Sequence, residues 1–441
     1  MSHSYLVRPS KNLTGEALVP GDKSISHRAL ILSSIAEGTS IITGLLESKD
    51  CMNTINILRE LGVSINKNNK GEYLVNGKGL HSLQKPSKEL NCGNSGTCMR
   101  LLTGLLSAQS FNSTLIGDDS LNSRPMGRVK EPLESMGANI MLTSEETSPI
   151  KIIKSDRIES IRYSMPINSA QVKSAILFAS LYADKKSTII ENNSTRNHTE
   201  NLFKQYGINI TCDKNIIEII PRKELEAQKI SIPGDISSAM FIIVGTLISE
   251  NSNILIKNVG INDYRIGAVE ILKRMGAKIE FRNIKEISNE KIADIYVESS
   301  ILQGITIPEE YVSKAIDEFP ILFIAAANAN GKTILSNANE LKYKESDRLI
   351  SMSEGLSKCG IKNSVNDNGI EIIGGLFSGG EIESFYDHRV AMSFAIAGLI
   401  AKNDIKINNI DNILTSFPSF YKTMKELGLD IEKIENKWVS Q

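Results

Sequence analysis

Net charge is the first thing this sequence does without. Its 50 basic and 51 acidic residues cancel across 441 positions, so it lacks the bulk positive field that non-specific nucleic-acid binding needs. Any anion must be gripped locally, and no nucleic-acid partner is expected. The five cysteines are odd in number and show no CxxC spacing, which supports neither a disulfide framework nor a zinc site. Histidines also number five, none in HExxH spacing, so no catalytic metal is expected. There is no G-x-S-x-G elbow and no reactive Cys-His pairing. No run reaches the roughly 18 apolar residues of a membrane span, and the start, MSHSYLVRPSKN, lacks the apolar centre of a signal peptide. These absences predict a soluble cytoplasmic protein with no membrane partner. They leave cofactor-free acid–base work on polyanionic substrates by lysines and carboxylates. With 41% hydrophobic residues, the chain can bury more than one core, and its length suggests two or three domains.

What the sequence does have is a repeat. ELGV at Gly62, MGAN at Gly137, YGIN at Gly207, MGAK at Gly276, CGIK at Gly360 and LGLD at Gly428 lie 68 to 84 residues apart. Each reads as a helix stopped by a glycine in the left-handed region and followed by β structure. Between these caps lie segments apolar or small on nearly every face, such as SISHRALILSSIA, SAQVKSAILFASLYA, ISSAMFIIVGTLIS and RVAMSFAIAGLIA. Helices of that kind belong inside, and the glycine-capped set, with Glu and Lys on one face, belongs outside. Six units, each with one buried helix, one surface helix and strands, could form two bodies of three, with a break near Pro233-Gly234-Asp235. The period exceeds that of solenoids.

Pro-led turns at Pro20, Pro166, Pro233 and Pro308 precede buried segments. They would place polar residues at helix N-termini, where an anion gains roughly 0.3 to 1 kcal/mol per charge. Pro20-Gly21-Asp22-Lys23-Ser24-Ile25-Ser26-His27-Arg28 crowds a hydroxyl and two cations at one helix start; an Asp-capped helix with solvated cations is the plainer alternative. Asn91 to Arg100, NCGNSGTCMR, opens another helix with small polar residues that let backbone N–H groups approach a ligand, although a tight empty loop would look the same. Arg124, restricted by Pro125, could present its fork to a carboxylate or could simply be a surface arginine. Lys344-Glu345-Ser346-Asp347-Arg348 pairs i,i+4 cations with a carboxylate able to move a proton, as would a surface ion ladder. Asp387-His388-Arg389 leads straight into VAMSFAIAGLIA, where a solvated face is not expected. One near-match to a P-loop, AANANGKT at 326 to 333, is set aside. It follows an apolar helix over about 313 to 329 and precedes a strand, the reverse of P-loop order.

Together PGDKSISHRALIL, GNSGTCMRLL, RPMGRV, SAQVKSAILFA, TRNHTE, DEFP, KESDRL and DHRVAMSFA resemble, in order and across essentially the whole chain, the enolpyruvyl transferase family in its 3-phosphoshikimate 1-carboxyvinyltransferase branch. The resemblance implies an α/β fold of two similar domains, each of three βαβαββ units with buried parallel helices, an inside-out α/β barrel. It implies residues 1–19 plus 234–441 as the C-terminal-type domain, 20–233 as the N-terminal-type domain, and an active site in the cleft between them. The implied partners are shikimate 3-phosphate and phosphoenolpyruvate, acting on a monomer without cofactor or metal. Carried over, Lys23, Ser24 and Arg28 bind shikimate 3-phosphate, Lys23 also touching phosphoenolpyruvate. Ser169, Gln171 and Arg196 hold the phosphate and ring, Asp317 and Lys344 face the hydroxyls, and Gly96, Arg124, Gln171, Arg348 and Arg389 surround phosphoenolpyruvate. Asp317, Glu345 and Lys23 are the implied catalytic groups, and Gly96, linked in the family to glyphosate sensitivity, is retained. Three departures stand out. Thr415 occupies the place of a lysine common before the S/T-F-P motif, Leu341-Lys342-Tyr343-Lys344 replaces L-R-V-K, and Thr195-Arg196-Asn197-His198 replaces S-R-D-H. The alternatives are the sister transferase for UDP-N-acetylglucosamine, whose loop cysteine would stand where Asp119 is, and an RNA 3'-phosphate cyclase-like protein.

Overall fold

In the computed structural model, which describes residues 2–10 and 12–436, helices of eight residues or more fall into two sets of six among the described residues. The buried set is Lys23–Ser34, Gly96–Leu106, Ala170–Ser180, Ile236–Ile248, Phe319–Asn328 and His388–Ala397. Every residue of Ile236–Ile248 is buried, as a segment apolar on all faces requires. The other set is Lys49–Glu60, Gly127–Ser135, His198–Gln205, Gly267–Arg274, Arg348–Lys358 and Phe420–Leu427. Each of these is followed within two residues by one of the six signature glycines, with φ between +67° and +115°. At the first, Gly62 N–H donates to Arg59 and Val63 N–H to Leu58, which satisfies carbonyls that the ending helix leaves over.

The strands follow the same repeat. Among the described residues five sheets have four strands and one has three. Glu37–Thr43 pairs antiparallel with Tyr73–Lys78, which pairs antiparallel with Ser64–Lys67, while Lys229–Ser231 joins the edge in parallel. The sheets around Ser113–Ile116 and Ser187–Ile190 copy that order. In the sheet of Lys332–Leu335 the parallel edge is reduced to the isolated bridges Gln303↔Asn330 and Thr306↔Ile334. In the last sheet the N-terminal strand Ser2–Arg8 takes the inner place, antiparallel to both Ile405–Asn408 and Asp430–Asn436. The first residues thus complete the last repeat.

The chain divides into two compact units: Met1–Pro20, Pro233–Lys285 and Lys291–Gln441 in the first, Gly21–Ile232 and Glu286–Glu290 in the second. Each has its own hydrophobic core. Two local expectations need correction. The helix expected over about 313 to 329 begins at Phe319, because Pro320 fits only the first turn, where its missing N–H is not needed. The turn at Pro308 leads into a separate short helix, Glu309–Val312, and not into the buried one. Within 326–333 the helix ends at Asn328, and Gly331, at φ +91°, turns the chain into the strand Lys332–Leu335. No described helix is long and apolar enough to cross a membrane.

Candidate functional site

In the second unit the three buried helices bring their first turns together through hydrogen bonds. Asp22 caps Lys23–Ser34 by accepting from Ile25 N–H at 2.8 Å, which fixes the turn bearing Lys23 and Ser24. Lys23 Nζ forms an ion pair with the buried Asp50. Arg28, 3% exposed, donates from Nε to Thr199 Oγ1 at 2.6 Å and from Nη2 to Ser174 Oγ at 2.8 Å. His27 places Nδ1 2.7 Å from Thr54 Oγ1 and Nε2 3.2 Å from Ser95 Oγ. Burial, with Lys23 and Arg28 nearby, pushes its pKa down to about 3, so the ring is neutral at physiological pH.

Ser95 in turn caps Gly96–Leu106. A Cβ on Gly96 would come within 2.8 Å of Arg100 Nη1 and 3.5 Å of Arg124 Nη1, so glycine here lets two guanidinium groups crowd a helix N-terminus. Arg124 is 7% exposed and donates to Asn94 Oδ1 at 2.9 Å; it is an interior arginine. Gln171, in the first turn of Ala170–Ser180, accepts from Arg100 and donates to Thr97 Oγ1 at 2.9 Å, while Ser169 caps that helix. Arg196 lies on the loop before His198–Gln205, half-buried. That loop is anchored by Thr195, whose N–H and hydroxyl both donate to Glu191 Oε1.

The first unit holds a tighter constellation. Lys344 Nζ lies 3.0 Å from Asp317 Oδ1. Arg348, 1% exposed, donates to Asp387 Oδ2 at 2.8 Å and to Glu345 Oε2 at 2.7 Å, with Nη1 3.9 Å from Asp317. Burial opposes its charge, but Asp387, Glu345 and Asp317 outweigh it and push its pKa up. Asp387, fully buried, is held below the ordinary carboxylate range because Arg348 overcomes its burial. Its Oδ1 also accepts from Arg389 N–H at 2.8 Å, capping His388–Ala397. Phe385 and Tyr386 reach that cap through left-handed φ of 52° and 56°, conformations that bulky residues seldom adopt. Nη1 of Arg348 and Nη1 of Arg389 are buried without a hydrogen-bond acceptor among the described residues.

Of the expected residues, Lys23, Ser24, Arg28, Gly96, Arg124, Ser169, Gln171 and Arg196 fall in the second unit, and Asp317, Lys344, Glu345, Arg348 and Arg389 in the first. Thr415 does not stand in for a cation; its hydroxyl donates to Asn412 O at 2.7 Å within its own turn. Sequence reasoning missed Arg100, which follows Gly96 by one helical turn, and Lys173, 1% exposed and paired with Glu191 at 3.1 Å and Glu200 at 2.7 Å. A lysine among small apolar residues was the available signal for the second. A cavity of about 650 Å³ lined by Arg128, Lys130, Glu131 and Glu134 contains none of the expected residues.

Comparison with known proteins gives a consistent answer. Residues 7–424 match the family described as EPSP synthase (3-phosphoshikimate 1-carboxyvinyltransferase). The chain is 47% identical over 428 residues to the 3-phosphoshikimate 1-carboxyvinyltransferase of Methylococcus capsulatus, covering 97% of this chain and 98% of that protein. It is 46% identical to that of Legionella pneumophila, covering 98% and 99%. A solved EPSP synthase from Acinetobacter baumannii superposes with a TM-score of 0.88 at 43% identity, covering 99% of this chain and 100% of that one.

Proposed function

This chain belongs to the EPSP synthase family, the 3-phosphoshikimate 1-carboxyvinyltransferases that transfer the enolpyruvyl group of phosphoenolpyruvate to the 5-hydroxyl of shikimate 3-phosphate with release of phosphate, and we propose that the two sets of side chains described above divide that reaction between them. Lys23, Ser24, Arg28, Ser169, Gln171 and Arg196 bind the phosphate and ring of shikimate 3-phosphate. Asp317 and Lys344 face its hydroxyls, and Gly96, Arg124, Gln171, Arg348 and Arg389 hold phosphoenolpyruvate, with Lys23 touching both substrates. The two units are the two domains of the family, and the protein acts as a cytoplasmic monomer.

The chemistry proceeds by addition and elimination. An acid, Glu345 or Lys23, protonates the methylene carbon of phosphoenolpyruvate while Asp317 accepts the proton of the attacking 5-hydroxyl, whose oxygen bonds to the adjacent carbon. The tetrahedral adduct then loses phosphate and gives back a proton from the new methyl group, restoring the double bond. The arginines offset the carboxylate and phosphate charges throughout.

The observation that carries this reading is Nη1 of Arg348, a buried guanidinium nitrogen without a hydrogen-bond acceptor among the described residues. A buried donor left unmet costs about 1 to 3 kcal/mol, and an anionic substrate meets it. The Asp317–Lys344 contact at 3.0 Å sets the carboxylate proposed as base beside a cation. Phosphate release from phosphoenolpyruvate should occur with shikimate 3-phosphate and not with UDP-N-acetylglucosamine. Asp317→Ala should abolish it with modest loss of substrate binding; near-normal turnover in that variant would remove Asp317 from the mechanism.

A further inference from the structure

The scheme above gives no work to the residue next to its proposed base. Glu318 is 2% exposed and sits at the N-terminal boundary of Phe319–Asn328, yet its side chain does not cap that helix. Oε1 accepts a hydrogen bond from the Ser237 hydroxyl and lies 3.6 Å from Arg389 Nη1 and 3.9 Å from Arg265 Nη2. Arg265 is itself 4% exposed. It donates from Nη2 to Ser237 Oγ at 2.6 Å and to Asp235 Oδ1 at 3.4 Å. Asp235 completes the chain by accepting from Ser237 N–H at 2.8 Å, which caps Ile236–Ile248. Charges therefore alternate through the interior as Asp235, Arg265, Glu318 and Arg389, tying together the first turns of all three buried helices of the first unit.

A carboxylate this deep stays ionised only when cations and donors replace its lost water. Arg265 and Ser237 already do so on one side, and Arg265 is held in turn by Asp235. Arg389 stands differently: its side chain is 13% exposed, and Glu318 lies beside only one of its terminal nitrogens. An arginine left to itself samples many rotamers, and fixing one edge of the planar fork aims the other. Resting on the assignment of Arg389 to phosphoenolpyruvate, we propose that Glu318 is a positioning residue, which through Ser237 and Arg265 holds the Arg389 guanidinium in the orientation that grips the phosphoenolpyruvate anion.

The test compares three variants, each checked by thermal unfolding. Glu318→Gln keeps the shape and an acceptor for Ser237 but removes the charge beside Arg389. It should raise KM for phosphoenolpyruvate about tenfold, leave KM for shikimate 3-phosphate within about twofold, and lower kcat less than KM rises. Arg389→Lys should raise the same KM, and Ser237→Ala should shift it in the same direction by a smaller factor. An unchanged phosphoenolpyruvate KM in Glu318→Gln with an impaired Arg389→Lys overturns the role of Glu318 alone. An unimpaired Arg389→Lys overturns the assignment of Arg389, and the role of Glu318 with it. Equal loss for both substrates in Glu318→Gln marks a general structural disturbance and overturns positioning. Should Glu318→Gln not fold, an unchanged phosphoenolpyruvate KM in Ser237→Ala decides against the proposal.

Discussion

His27 shows how one neutral side chain can tie together the openings of two buried helices. Its ring lies between Thr54 and Ser95, Lys23 and Arg28 flank it in sequence, and Asp22 opposes them more weakly. With a folded pKa of about 3 against 6.5 for the free side chain, the unfolded chain takes up a proton first as pH falls. Stability from this group is therefore complete above pH 6.5 and is lost progressively towards pH 3. At pH 5 the loss is about 2 kcal/mol, at roughly 1.4 kcal/mol per unit. Denaturant melts between pH 7.5 and 5 should show a shallower decline for His27→Gln than for the parent; parallel declines would contradict the buried neutral ring. Gly96 is the second case. A Cβ there must displace the end of Arg100, only 2.8 Å away, and meets Arg124 at 3.5 Å. Gly96→Ala should therefore raise KM for phosphoenolpyruvate about tenfold and weaken competition by glyphosate, with little effect on KM for shikimate 3-phosphate; steady-state kinetics with each substrate varied would check it. At this scale a motif in the sequence singles out a residue such as Arg28 or Arg389 without showing its partners. The sequence is silent where a partner comes from a distant segment: nothing near Arg28 announces Thr199 and Ser174, and nothing near Arg389 announces Glu318.

Elements are where pattern and structure agree most closely, since helix burial and glycine caps are local properties. All six signature glycines adopt left-handed φ at the ends of helices with an exposed face. The helix start that reading missed, Phe319, depends on Pro320 and on the Asp317-Glu318 turn, where local rules about proline compete with a continuous apolar run. Lys173 makes the energetic point for an element. It ties Ala170–Ser180 to Glu191 at the end of Ser187–Ile190 and to Glu200 in His198–Gln205. Burial works against its charge, but Glu200 and Glu191 raise its pKa, so its contribution is complete at neutral pH and fades only above the ordinary lysine value. Lys173→Met would leave two buried carboxylates facing one another, and removing one partner from such a cluster costs about 3 to 5 kcal/mol. Chemical denaturation of Lys173→Met at pH 7.5 should show a deficit of that size, and the triple change Lys173→Met, Glu191→Gln, Glu200→Gln should recover part of it; no recovery would mean that packing, and not charge, carries the cost.

For the whole molecule, the repeat in the sequence implied two bodies of three units, and a break near Pro233 was visible in the Pro-Gly-Asp turn. What could not be read was that residues Glu286–Glu290, at the tip of a hairpin whose arms belong to the first unit, are counted with the second. There Glu290 Oε1 lies 2.8 Å from His198 Nδ1, both side chains buried, and Ser288 Oγ accepts from Ser231 N–H at 3.0 Å. The sequence SNEKIAD gives no sign of such partners, because they lie 57 and 92 residues away. Two separate cores make a single all-or-none transition unexpected. Calorimetry should give two transitions, or one whose calorimetric enthalpy exceeds the van't Hoff value. Shikimate 3-phosphate should act unevenly on them, since most of its proposed ligands, Lys23, Ser24, Arg28, Ser169, Gln171 and Arg196, lie in the second unit. At a hundredfold excess over its Kd the gain is about 2.7 kcal/mol, concentrated in the transition that Lys173→Met lowers. Equal displacement of both transitions would assign the ligand's grip to the two units alike. A single two-state endotherm would show that the hairpin tip and the chain crossings at residues 20–21 and 232–233 make the two cores unfold as one.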